Sequence, residues 1–214
     1  MGKEALVVER KILLSNIDFQ GFLSIEKKDL ISIITNRRNH FYHKRGEELE
    51  NNINLKQIIP YVWIINPRDK TIFLYKRALN GKNNSEYTEK RYLNKYSGGV
   101  GGHIDRETEE GVDDPIMKAM MRELKEEVVM RNYPEPQLLG YINDDSDSLG
   151  RVHFGIVAIA ETHEKVKSQK SEGLDSGSFY SINEIEEIFK DQSNEVENWT
   201  RISWPFIKDY LQRL

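Results

Sequence analysis

The chain has 214 residues, with 38% hydrophobic and 10% aromatic content, which is enough to bury a sizeable core and favours one elaborated domain over two. A net charge of −4 and a sequence pI of 5.8 argue against a nucleic-acid groove or an anionic membrane surface as partner. Cysteine is absent, which excludes disulfides and thiolate chemistry and fits a reducing compartment. With no cleavable signal pattern and no apolar run near the roughly 20 residues of a spanning helix, the expectation is a cytoplasmic protein with no membrane partner.

Residues 1–56 read as an extension ahead of the core. Strands are expected at 5–8, 12–14 and 19–25, and a helix at 27–35, where Leu30, Ile31, Ile33 and Ile34 have helical apolar spacing. The stretch 36–54 is polar. His40 and His43 could share a metal ion on a helix, but Arg37, Arg38, Lys44 and Arg45 around them offer no further ligand, so a surface role is favoured. The core begins at Gln57. The apolar runs YVWII (61–65) and TIFLY (71–75), separated by Asn66-Pro67, read as a buried hairpin that ends at Lys76-Arg77. Residues 80–95 are polar and read as an insertion or loop, with Tyr87, Tyr92 and Tyr96 available to pin it or to stack on a ligand.

The most informative segment is 97–130, SGGVGGHIDRETEEGVDDPIMKAMMRELKEEVVM. Asp114-Pro115 is a helix start, since aspartate accepts first-turn N–H groups and proline has no N–H to leave unpaired, so a helix is expected over 115–130. At about 100° per residue, Ile116, Ala119, Met120 and Leu124 share the inward face. Glu123 and Glu127 project into that face and Glu126 lies at its margin. Buried like charges repel unless a cation joins them, and oxygen-only ligation suits Mg²⁺ or Mn²⁺. Gly98, Gly99, Gly101 and Gly102 let the backbone approach a ligand closely, and a carbonyl there could complete a metal shell.

Together these residues resemble the Nudix box, G-x5-E-x7-R-E-U-x-E-E-x-G-U with U a bulky aliphatic residue. Arg122-Glu123-Leu124-Lys125-Glu126-Glu127 matches its core, and Gly101-Gly102 stand where the box begins. Three positions depart from the pattern. The loop 103–113 is expanded, Asp114 replaces the first glutamate, and Val129 replaces the glycine after the helix, where valine is poorly suited to a left-handed turn.

Beyond the helix, 137–143 and 152–161 read as strands joined by the acidic turn Asp144-Asp145-Ser146-Asp147, which lacks the glycine and terminal glutamate of a calcium loop. A loop at 168–178, a strand at 179–182, a helix at 183–190 and an apolar tail helix at 199–214, kinked near Pro205, complete the chain.

The resemblance implies an α+β fold, a Nudix α/β/α sandwich with a mixed β-sheet over 57–214, carrying an N-terminal α/β extension over 1–56. It implies Mg²⁺ (or Mn²⁺) held by Gly102, Glu123, Glu126 and Glu127. Arg77 and Gly101 would contact substrate, and Arg122 would orient a glutamate or anchor the loop through Asp114. The general base would be Glu123 or Glu172, the latter with Asp175 as substitute. The implied reaction is hydrolysis of a phosphoanhydride bond in a nucleoside diphosphate derivative or related pyrophosphate. The alternative is a Nudix-fold sensor that binds a nucleotide or sugar nucleotide without cleaving it. Many members are homodimers, so a homodimer is also an expectation from the resemblance.

Overall fold

The computed structural model describes residues 3–77, 94–169 and 174–214. In chain order these form β1 (Glu4–Glu9), α1 (Arg10–Leu13), β2 (Gly21–Ser24), α2 (Ile31–Thr35), β3 (His40–Lys44), α3 (Glu47–Glu50), β4 (Leu55–Asn66), β5 (Thr71–Arg77), β6 (Tyr96–Ser97), β7 (Gly99–Val100), α4 (Arg106–Glu109), α5 (Pro115–Glu127), β8 (Val128–Val129), β9 (Gln137–Asn143), β10 (His153–Glu161), β11 (Lys167–Ser168), β12 (Leu174–Ser181), α6 (Ile182–Lys190) and α7 (Asn198–Arg213). Helices and strands mix along the chain, as the α+β expectation requires. The chain divides into two compact units, residues 1–61, 101–120 and 138–158, and residues 62–100, 121–137 and 159–214. Among the described residues, no helix is long and apolar enough to cross a membrane.

In the first unit, β1 runs antiparallel to both β3 and the start of β4, with Val7 opposite Gln57, and β2 runs antiparallel to β9. The early residues are therefore sheet members in their own unit. Ala5, Leu6, Val7 and Val8 are all fully buried, and Val7 packs with Leu49 and Leu55. Two expectations fail here. Residues 12–14 belong to no strand, because the chain turns into the short helix α1 and buries only Leu13. The polar stretch 36–54 hides strand β3, whose backbone is specified by pairing with β1 rather than by its own apolar pattern. That strand puts His40 and His43 on opposite faces, so they form no metal pair. Each Nδ1 is engaged by a backbone carbonyl instead, of Ile34 and Lys44.

Strand β4 is nearly continuously buried, and Lys56 and Gln57 are both 0% exposed. The Lys56 ammonium donates to Asp145 Oδ1 at 3.0 Å and to the carbonyls of Gly150 and His153 at 2.8 and 3.2 Å. Asp145 also accepts two bonds from the Arg10 guanidinium and one from Gln20. The acidic turn is thus a counter-ion for a buried lysine. Arg10 holds the Asp145 carboxyl well below the usual carboxylate range, against the opposing effect of burial, with Lys56 and Gln20 adding to the shift. A depressed carboxylate contributes stability that is complete above its unfolded pKa of about 3.9 and is lost as pH falls through the folded value. The urea midpoint of the native chain should therefore drop as pH is lowered below about 4, and Asp145→Asn should flatten that dependence. Parallel acid dependence in the two proteins would contradict this assignment.

In the second unit, β4 and β5 form the expected hairpin, with Ile65 opposite Ile72, and β12 extends it with Phe179 opposite Phe73. Strand β6 pairs with β5 and β7 with β4. A capping box starts α6, where Ser181 Oγ accepts from Glu184 N and Glu184 Oε2 accepts from Ser181 N. The tail helix α7 contains Pro205 and buries Trp204, Ile207 and Leu211. Ser203 on it accepts from Trp63 Nε1 at 3.1 Å.

Candidate active site

Helix α5 begins as its sequence requires. Asp114 Oδ1 accepts from Met117 N at 2.8 Å, and Pro115 occupies the first helical position. Ile116, Ala119, Met120 and Leu124 are buried, and Lys118 and Lys125 are exposed. Glu123 and Glu127 are each only 8% exposed. They stand one turn apart on the buried side, where an ordinary structural helix would carry apolar groups.

Arg122 organises this helix face. Its Nη1 donates to Glu123 Oε1 at 2.6 Å and to Glu126 Oε2 at 3.2 Å, while the Glu126 side chain keeps half its surface in water. One guanidinium therefore fixes two of the three carboxylates. Arg122, expected either to orient a glutamate or to anchor the loop through Asp114, is bonded to these two carboxylates, while Asp114 accepts from Met117 N as the helix cap.

The helix ends at Glu127, three residues before the expected limit, and this accounts for Val129. No left-handed turn follows; Val128 and Val129 enter β8 and pair with Ser168 and Lys167 of β11. The Glu127 carbonyl, which a glycine turn would otherwise satisfy, accepts from Gln169 N at 2.8 Å. Valine suits an extended exit as well as glycine suits a turn.

Arg77 ends β5 in the same unit as these acids. Its Nε donates to Glu197 Oε1 at 2.8 Å, and Glu197 Oε2 accepts from Ser97 Oγ at 2.7 Å. Burial alone would lower the Arg77 pKa, but Tyr75, Glu197 and Glu127 together raise it well above the ordinary value. Arg77 is thus a fixed cation within electrostatic reach of Glu127. Glu197, 4% exposed, was not legible in the sequence, since its only local signal is its place just before α7.

The glycine turn has steric reasons of its own. A Cβ on Gly98 would lie 2.1 Å from the Trp63 ring, and one on Gly101 would lie 1.9 Å from the Pro60 carbonyl oxygen. The second obstacle is backbone and cannot swing aside. Gly101→Ala should therefore destabilise the fold by about 3 kcal/mol, read as a lowered urea midpoint, whatever Gly101 does for substrate. Gly102 lies with Gly101 in the first unit, and Glu123, Glu126 and Glu127 lie in the second. Glu172 lies outside the described residues. Asp175, its substitute, is on β12 opposite Lys76 and accepts from Ser176 N.

No protein-family model matches the chain. It is 29% identical over 202 residues to Protein YmaB of Bacillus subtilis (strain 168), covering 92% of this chain and 90% of YmaB. Among solved structures, it matches Tm1382, provisionally assigned as a Nudix hydrolase, with a TM-score of 0.72 and 25% identity over 97% of this chain and 99% of that one. The Nudix domain of Shewanella oneidensis NrtR, solved with ADP ribose, matches with a TM-score of 0.51 and 12% identity, covering 74% of this chain and 89% of that domain. The last likeness is one of fold alone.

Proposed function

We propose that the chain is a Nudix hydrolase, on its likeness to Tm1382 and on the match of residues 122–127 to the Nudix box, and that it hydrolyses the phosphoanhydride bond of a nucleoside diphosphate derivative or related pyrophosphate with Mg²⁺ or Mn²⁺. The observation that carries this reading is the α5 face, on which Arg122 binds Glu123 and Glu126 while Glu123 and Glu127 stand nearly buried one turn apart. The donor set fits a hard divalent ion, because it is all oxygen and because like charges so placed repel unless a cation is shared among them. Glu123, Glu126 and Glu127 would hold the ion. When bound, it supplies neutralisation of phosphate charge and lowers the pKa of a coordinated water.

The chain's own residues have separable tasks in this proposal. Arg122 holds Glu123 aimed, so that Glu123 is placed to orient an attacking water or accept its proton. Glu127 lies in the field of Arg77. Arg77, held rigidly by Glu197, is a phosphate contact that needs no reorganisation when substrate enters. A reducing cellular compartment belongs to the same proposal, supported by the absence of cysteine, and homodimeric assembly is supported by the family resemblance.

The test is product release from four substrate classes: nucleoside triphosphates, dinucleoside polyphosphates, ADP-ribose-like compounds and non-nucleotide pyrophosphates. Each is assayed with Mg²⁺ and again after chelation. Cleavage of at least one class, lost on chelation and restored by added Mg²⁺, is the expected result. Release unaffected by chelation would remove the metal from the reading.

A further inference from the structure

We propose that Glu50, His103 and His153 form a second metal centre, separate in its residues from the carboxylate helix, for a borderline divalent transition ion of the Zn²⁺ type. Each of the three offers a ligand atom, and these atoms all lie within 4.8 Å of one another. The two imidazole rings meet edge to face with centroids 5.5 Å apart. All three residues belong to the first compact unit.

The hydrogen bonds around the cluster fix how its groups are oriented. A carboxylate only accepts, so the contact of 3.1 Å between Gln57 and Glu50 Oε1 must be made by the Gln57 amide nitrogen. The Gln57 amide oxygen therefore faces His103 Nε2 at 2.8 Å, and that nitrogen must carry the proton. His153 Nδ1 lies 2.8 Å from the Leu149 carbonyl, another group that only accepts, so that nitrogen donates. Each imidazole thus has one ring nitrogen anchored by a hydrogen bond, the arrangement that orients histidine ligands in metal sites.

Each ligand is also positioned by the fold. Leu49, fully buried with Val7 and Leu55, places Glu50 at the end of α3 beside Gln57. The His103 segment is held along β1 by Leu6 N donating to the Ile104 carbonyl and by the bridge of Ala5 to Asp105. His153, 7% exposed, opens β10, and its carbonyl accepts from the buried Lys56. Gln57 is itself 0% exposed and braces two of the three ligands at once. Two imidazoles and one carboxylate suit Zn²⁺, whereas Mg²⁺ prefers oxygen alone. Three protein ligands leave a position open for water or a substrate oxygen.

The experiment titrates Zn²⁺, and Co²⁺ as its coloured substitute, into the chelator-treated full chain, with X-ray absorption on the Zn²⁺ form. One equivalent is expected, with low-coordinate Co²⁺ bands and nitrogen neighbours at about 2.0 Å in the Zn²⁺ spectrum. Gln57→Leu, which leaves all three ligands in place, should weaken Zn²⁺ affinity by about 10- to 100-fold. Glu50→Gln/His103→Asn should abolish tight binding, and Glu123→Gln/Glu127→Gln should leave it intact. A native chain that binds no Zn²⁺ tightly, or a Zn²⁺ spectrum of oxygen neighbours alone, would overturn the proposal without needing any variant to fold. Binding lost only in Glu123→Gln/Glu127→Gln would overturn it too, and would assign the ion to α5.

Discussion

Glu127→Gln is expected to lower the proposed metal-dependent phosphoanhydride hydrolysis by about 10²- to 10³-fold while changing the stability of the fold little. The two effects differ in size because Glu127 is 8% exposed, stands one turn from Glu123 on the buried side of α5 and lies in the field of Arg77. Glutamine keeps the shape and removes a charge that burial and the neighbouring carboxylate oppose and Arg77 favours, so the urea midpoint should move little. Catalysis suffers because phosphoryl transfer depends almost wholly on positioning and charge stabilisation, and an amide supplies neither the negative charge nor the metal affinity. Glu126→Gln should be milder, since that side chain is half exposed and bonded to Arg122 through one oxygen. Rates measured beside equilibrium unfolding separate these readings. A Glu127→Gln protein that is less stable and equally active would show that the carboxylate is a structural group.

The largest expected effect on stability belongs to Lys56. Lys56→Ala should destabilise the fold by about 3–5 kcal/mol, the range for removing one partner of a buried ion pair. The ammonium is 0% exposed and donates to Asp145, Gly150 and His153. Its removal leaves two interior carbonyls without that donor and opens a cavity along β4. Burial pushes the Lys56 ammonium below its ordinary pKa, with Asp145 pulling it back, so the charge stands only because its partners surround it. Lys56→Met, which keeps the stem, should recover the packing part and isolate the loss due to charge. Urea unfolding of both variants provides the measurement, and a loss below about 1 kcal/mol for Lys56→Ala would show that water satisfies the orphaned groups.

What the sequence made legible was local. The Asp114 cap, the apolar stripe of α5 and the inward acids all follow from positions within a few residues of each other, and the period of a helix converts them directly into a face. The hairpin of β4 and β5 was readable for the same reason, from two apolar runs and a short turn. Even Val129 gave a usable sign, since a residue unfit for a left-handed turn implied a different helix exit, and β8 is that exit. Groups that acquire meaning only from distant partners stayed hidden. Neither Lys56 nor Glu197 carries a local signal of its burial, and their partners Asp145 and Arg77 are distant in the chain. Glu50, His103 and His153 lie in three separate stretches, and only the sheet brings them together. Strand β3 was missed because its pairing with β1 outweighs a polar composition.

The carboxylate helix is tested most directly by following phosphate release during a Mg²⁺ titration, with the native chain beside a Glu123→Gln/Glu127→Gln double variant shown by circular dichroism to be folded. The native chain is expected to cleave at least one class of phosphoanhydride at a rate that saturates with Mg²⁺, and the double variant to stay at the uncatalysed background. Equal rates in the two proteins, or a native chain that binds Mg²⁺ and a nucleotide yet cleaves none of the four classes, would contradict it, the second result favouring a sensor built on the same fold.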